Sequence, residues 1–392
     1  MPFLAGSVGF CRFQIVGGGP KRLDDALLDK LRGHAIGSGQ TVRSDNVECG
    51  WIGGRHILDR DFSEEKNFLL DTIHFGMRVD TAKIPADLLR AYVEQEIESL
   101  RADDPNGRVH ARMRREARDA ARKRADREIK DGRYQKMKQI PLMLDTRADM
   151  LYDGATQSAI HERLYSLFKE TFGKRLEPLT AGAAAYLTAE KHNRTRAVES
   201  MEPSVFVKRP DREGHNEVYW TAHDAASRDY LGNEFLLWLW HELAERGDTL
   251  ALPDKTEVAV MIARQMTLEC PWAMSGKETI TADGPTSLPE AKRAIQSGKL
   301  PRRAGLTLAR QNAQYELTLA PETLAVSGGV LPKPEVDDDN PRAAIEERVE
   351  QVRHLAETVD LLYTTFLEKR LASEWQSELN KIVSWLRKGL ET

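Results

Sequence analysis

Cysteine is scarce in this chain, and what there is follows no pattern: Cys11, Cys49 and Cys270 are the only three in 392 residues. An odd, widely scattered set builds neither a disulfide framework nor a four-ligand zinc site, and it suits a reducing cytoplasm. No run approaches the ~18 apolar residues that span a bilayer. The opening MPFLAGSVGFCRF has neither the basic start nor the long apolar stretch of a secretory signal. We therefore expect no membrane partner. An excess of either charge is missing too: 57 Lys plus Arg stand against 61 Asp plus Glu, a net −4, and taken as an average that disfavours nucleic acid.

Motifs of catalysis are equally thin. The glycines at Gly17 to Gly19 and at Gly53-Gly54 lack the spacing that aims backbone N–H groups at phosphates, so they read as turns. No serine occupies a nucleophile elbow. His241-Glu242 is followed by Glu245 at the position where a zinc-peptidase helix needs its second histidine. Asp145, Asp149 and Asp153 flank a turn and would suit a Mg²⁺-dependent nuclease, although such turns attract Asp in any case. Trp238 and Trp240 lie among leucines and read as core rather than as a base-stacking platform. The expectation is a chain that is not an enzyme and needs no cofactor and no metal.

What is present is a charge asymmetry. Between Arg108 and Lys138 thirteen Lys/Arg meet five Asp/Glu, a net +8 that leaves −12 on the rest of a chain whose total is −4. The segment is rich in Ala, Arg, Glu and Lys with no Pro or Gly before Gly132, so it favours helix. Being poor in apolar residues, it should project into solvent or face a charged partner, laced by i,i+4 pairs such as Arg112–Glu116 and Arg122–Asp126. The averages hide a basic arm on an acidic body.

Hydrophobic periodicity places the other elements. Residues 7–16 alternate as a strand, 21–32 read as a helix, 47–52 and 69–79 as strands, and Pro85 opens a helix with Leu88, Leu89, Tyr92, Val93, Ile97 and Leu100 on one face. A turn at 103–107 precedes the basic helix, and strands near 138–144 and 149–153 and a helix over 157–172 follow. The segment 183–217 gives weak signals and reads as a connection. EFLLWLWHELA at 234–244 is strongly apolar, 256–267 and 306–319 alternate as strands, and a Pro-punctuated acidic linker at 332–341 leads to a helical segment. There Ile345, Val349, Val352, Leu355, Val359, Leu362 and Phe366 recur every three to four residues, which suits a helical hairpin, a self-association seam or packing on the chain's own core. The fold class is α+β: two related antiparallel sheet/helix units over 1–182 with the basic arm at about 86–138 between them, a second α+β subdomain over 183–331, and a C-terminal helical segment over 342–392.

Several pieces converge on one family. GSVGFCRFQIVG, the Gly50-Trp51 pair, RVDTAKIPADLLRAYVEQEIESL, the basic helix and IPLMLDTRADMLYDGATQSAIHERLYSLFKETFGKRLEPLT together resemble, over about residues 7–180, the recombination-associated protein RdgC family. EFLLWLWHELA and LPEAKRAIQSGKLPRRAGLTL resemble longer, divergent relatives, whereas the C-terminal helices and the acidic total depart from the family pattern. The resemblance implies a cytoplasmic, nucleoid-associated homodimer that forms a ring on double-stranded DNA, binds with little sequence preference and restrains a RecA-type recombinase. It also implies an aromatic near the end of the arm that helps one subunit meet the other, and Tyr134 is the positional match.

The residues supply a physical means. A helix over 108–130 would run roughly 34 Å, about one turn of a duplex that carries one charge per ~1.7 Å. With no base-reading motif, the contacts would go to phosphates. The expected carriers are Arg108, Arg112, Arg114, Arg115, Arg118, Arg122, Lys123, Arg124, Arg127 and Lys130, extended by Arg133, Lys136 and Lys138. Lys299, Arg302 and Arg303 form a second basic patch, either a further contact or a solvated turn. The rival readings are the nuclease and a protein-interaction scaffold whose basic arm meets an acidic partner.

Overall fold

The computed structural model describes residues 3–44, 46–102, 108–155, 158–207, 227–270, 276–334 and 340–388. The expected turn at 103–107 lies outside these residues, as do parts of the 183–217 connection and of the 332–341 linker.

Alternation builds the first strand, β1 (Val8–Ile15). Val8 and Phe10 join one core and Cys11, Phe13 and Ile15 another, on opposite faces. Then come α1 (Asp25–Gly33), β2 (Val42–Ser44), β3 (Val47–Ile52), α2 (Glu64–Asn67), β4 (Phe68–Leu69) and β5 (Thr72–Ala82). Asp24 caps α1 by accepting a hydrogen bond from Leu27 N at 3.1 Å. The strand expected over 69–79 is thus two, broken where Leu70 adopts φ +52°. The helices α3 (Ala86–Ala102) and α4 (Ala111–Lys130) follow, then β6 (Gln135–Asp145), β7 (Met150–Asp153), α5 (Ser158–Phe172) and β8 (Leu176–Pro178).

The second half opens on α6 (Ala181–Lys191) and α7 (Thr195–Glu199), where the sequence suggests only a connection. AGAAAYLTAEK has no amphipathic stripe of large residues, yet Ala181, Ala185 and Ala189 bury one side and Thr180 caps the start. Gly182 is required there, since a Cβ would overlap Ser227 O. Next are α8 (Tyr230–Arg246), β9 (Thr249–Ala251), β10 (Glu257–Glu269), β11 (Lys277–Ala282), α9 (Pro289–Gln296), β12 (Leu300–Arg310), β13 (Ala313–Ala320), β14 (Ala325–Val330), α10 (Pro341–Arg370) and α11 (Trp375–Arg387). The single strand expected over 306–319 is a hairpin that turns between Arg310 and Ala313, with Gln311 at φ +54°.

All the strands among the described residues belong to one antiparallel sheet of order β11-β10-β12-β13-β14-β1-β7-β6-β5-β3-β2, with β4 beside β5, β8 beside β1 and β9 beside β10. β1 is the junction: its start pairs with β14, and Cys11 to Gln14 pair with β7. On one face of the N-terminal half, Leu28, Leu31, Leu164, Leu167 and Phe168 of α1 and α5 cover Phe13, Trp51, Phe75 and Leu142. A second core gathers Phe10, Met143 and Tyr152 with α6, α8, α10, α11 and the C-terminal strands. Trp238 and Trp240 are buried in it, as their leucine-rich context implies.

α10 is a strut across the molecule. Arg12 of β1 makes a two-pronged bond to Asp360 (2.6 and 2.5 Å), Arg353 makes another to Asp145 of β6 (2.7 and 2.9 Å), and Arg310 of β12 reaches Glu357 at 2.9 Å. Val349, Val352, Leu355, Val359, Leu362 and Phe366 are each at most 1% exposed against the chain's own core, and Ile345 packs at its edge. The repeat that also suited a self-association seam is therefore consumed within the fold.

Candidate nucleic-acid interface

β5 and β6 pair from Thr72↔Asp145 to Ala82↔Gln135, and the chain between their far ends is the α3/α4 arm. The last residues of this ladder leave the core: Gln135, Lys136, Met137 and Lys138 are all exposed. The arm therefore stands on a two-stranded stem, and α4, with 20 residues, extends it by about 30 Å.

α4 projects on this stem and also has a packing face, built without large aliphatics. Ala117, Ala121 and Ala125 recur at i,i+4 spacing and are at most 4% exposed. Small side chains let α3 approach closely, and Tyr92 is the one described α3 residue that becomes fully buried. Leu88, Leu89, Val93, Ile97 and Leu100 are only half-buried, because a two-helix arm has one partner face rather than a core.

At the root of the arm, Glu128 is the hub. Its carboxylate accepts from Tyr134 OH (2.7 Å) and Tyr92 OH (2.8 Å), and Arg124 Nε lies 3.4 Å away. These hydroxyls, Tyr134 first, hold the Glu128 carboxyl below its ordinary range, while Tyr92 and Glu128 push the Tyr134 hydroxyl up. The Arg124 guanidinium lies 3.7 Å over the Tyr92 ring. Arg124 is thus half-buried and ties the root of the arm together, unlike the exposed carriers. Tyr134 sits at φ +61° with its hydroxyl committed inside its own chain.

The other expected carriers are exposed: Arg108, Arg112, Arg114, Arg115, Arg118, Arg122, Lys123, Arg127, Lys130, Arg133, Lys136 and Lys138. Arg112 pairs with Glu116 at 2.9 Å as expected, whereas no ion pair joins Arg122 to Asp126. Arg133 lies 3.6 Å from Glu128. Helical spacing sorts the rest. Arg114, Arg118 and Arg122 form one uninterrupted basic row, about 6 Å apart along the axis, next to the alanine face. The outermost face mixes Arg115, Lys123 and Lys130 with Glu116, Asp119 and Asp126. In the second patch, Lys299 binds Glu278 and Arg302 binds Glu322, both at 2.9 Å, so two of its three cations are held by the fold.

The carboxylates considered for a nuclease do not converge. Asp145 is clamped by Arg353, Asp149 binds Lys21 and Gly19 N, and Asp153 lies on the other side of the β6/β7 hairpin, opposite Leu142. The three do not share a metal position. Glu245 is exposed, and His241 faces Glu242 and Glu378. One cluster left no local trace in the sequence: Cys11, Asp153 and His161 meet because β1 pairs Cys11 opposite Asp153 and α5 begins just beyond. Only the strand order could have revealed it.

Among the described residues no helix is long and apolar enough to cross a membrane. In comparison with known proteins, the sequence matches no family model and no curated protein.

Proposed function

We propose that this chain binds double-stranded DNA without reading its sequence, and that the α3/α4 arm is the binding surface. The observation that carries this reading is the basic row Arg114, Arg118 and Arg122, exposed along one edge of α4 and, among the described residues, held in no ion pair. Such a row suits a polyanion of regular charge spacing, and Lys136 and Lys138 extend the positive track down the stem. The concentration of +8 on a segment of an otherwise acidic chain would orient the approach of DNA toward the arm and repel it from the body. The likeness to the RdgC family adds the finer reading of a homodimeric ring that encloses the duplex and restrains a RecA-type recombinase. In that arrangement two arms would line the opening, the acidic bodies would face outward, and the chain would have no catalytic role.

Charge reversal tests the surface. Arg114→Glu, Arg118→Glu and Arg122→Glu together should lower duplex affinity by at least about tenfold in a mobility-shift titration, with an unchanged thermal transition. Equal affinity in the parent and the triple variant would move the interface off the arm.

A further inference from the structure

The Cys11 thiol, the Asp153 carboxylate and the His161 imidazole form a second chemical centre, outside the arm's basic row. Cys11 Sγ lies 3.5 Å from His161 Nε2, His161 Nε2 lies 3.5 Å from Asp153 Oδ2, and all three donor atoms are within 4.8 Å of one another. A tetrahedral zinc ion, with bonds of about 2.3 Å to sulfur and 2.0–2.2 Å to nitrogen and oxygen, separates such donors by about 3.4–3.6 Å. Asp153 is fully buried, and its Oδ2 has no hydrogen-bond partner. Its other oxygen accepts from Ala155 N at 2.7 Å, which orients the carboxylate and leaves Oδ2 turned toward the sulfur and the imidazole. A buried carboxylate oxygen left without a donor is costly unless the group takes up a proton or a cation fills the space. The His161 ring packs edge-to-face with Phe13 at 5.1 Å between centroids, which fixes its orientation.

We propose that Cys11, Asp153 and His161 bind one zinc-class divalent cation through Sγ, Oδ2 and Nε2. The thiolate selects a borderline-soft metal over Mg²⁺ or Ca²⁺. Binding requires the Cys11 thiol to release its proton to solvent and His161 to carry its remaining proton on Nδ1. The contacts of Cys11 Sγ (3.1 Å) and His161 Nε2 (3.2 Å) with Ala155 O are exchanged for metal bonds. Three protein ligands leave a fourth position. Cys11 and His161 form part of the wall of a cavity of about 440 Å³ that is also lined by Lys277, Arg303 and Ser327, so that position faces space for a water or a small anion.

A competing cluster, His241, Glu242 and Glu378, is less suited to a cation. Its carboxylates are already served by Arg246 at 3.0 Å from Glu242 and Lys381 at 3.0 Å from Glu378. Glu242 Oε1 and Glu378 Oε1 have no donor there either, so it is these two resident cations that set the cluster apart.

Titration of the chelator-treated full chain with Co²⁺ tests the site. The expected result is one Co²⁺ per chain, with the visible bands of a tetrahedral ion and a thiolate charge-transfer band in the near ultraviolet. Asp153→Asn keeps the acceptor for Ala155 N and preserves the shape of the buried side chain, so it should fold, and it should weaken binding by at least about tenfold. His161→Ala should do the same, while His241→Ala leaves the titration unchanged. Absence of the thiolate band, parental affinity in Asp153→Asn, or loss of the spectrum in His241→Ala would each overturn the assignment.

Discussion

Arg353 and Asp145 meet with a two-pronged bond, and both side chains are under a tenth exposed. A buried pair of this kind contributes little relative to an apolar substitute, but removing one partner strands the other charge. Arg353→Ala should therefore cost about 3–5 kcal/mol in urea unfolding, and adding Asp145→Asn should restore part of it. A cost below 1 kcal/mol for the single variant would contradict this account of how α10 is held.

His74 lies beside that pair. It is 1% exposed, its Nε2 is 2.8 Å from Thr72 Oγ1, and its Nδ1 has no partner. Burial first, and Arg353 second, push its pKa from 6.5 down to about 3. Between those values the unfolded chain binds a proton that the folded chain refuses, so stability falls as pH drops through that window. The slope from this one group approaches about 1.4 kcal/mol per pH unit, and His74→Gln should remove it. Unfolding titrations at a series of pH values would read the difference, and identical slopes in both proteins would refute the assignment to His74. Neither effect is legible in the sequence, where Asp145, His74 and Arg353 are isolated letters brought together only by β5, β6 and α10.

At the scale of elements, the arm was legible as a helix and illegible as a packed one. Composition gives α4 its helix, but Ala117, Ala121 and Ala125 carry too little apolar area to stand out as a stripe in so charged a sequence, and the close approach of α3 is what makes them a face. Ala121→Leu should overpack this face and cost about 1–3 kcal/mol locally, seen as faster amide exchange across α3 and α4 with the global transition unmoved. Unchanged exchange would show that the two helices do not depend on this contact. Glu128→Gln should loosen the same helices from the root, since a neutral amide accepts more weakly from Tyr92 and Tyr134. In α10 the reverse held: its apolar repeat announced a helix, yet periodicity alone could not choose between a second copy and the chain's own sheet. The arginine and two acids spaced along it, Arg353, Glu357 and Asp360, tie it to β6, β12 and β1.

Over the whole molecule, antiparallel α+β character was readable from alternating runs and amphipathic helices, because those are local patterns. The continuity of the sheet was not. It depends on β1 meeting β14, more than 300 residues later in the chain, and on Arg12 and Asp360 sealing that junction. The candidate interface was readable for a different reason: thirteen cations in thirty-one residues is a local signal, and the fold's contribution was to set the row Arg114, Arg118 and Arg122 on one exposed edge while drawing Arg124 inward.

The salt dependence of binding to duplexes of unrelated sequence probes the proposed role most directly. If the arm and stem engage about six phosphates, log affinity should fall against log salt with a slope of roughly −5, the same for every duplex, and the slope should shrink by about one for each phosphate-contacting cation removed. A flat salt response, or a slope unchanged when Arg114, Arg118 and Arg122 are all reversed, would contradict the account.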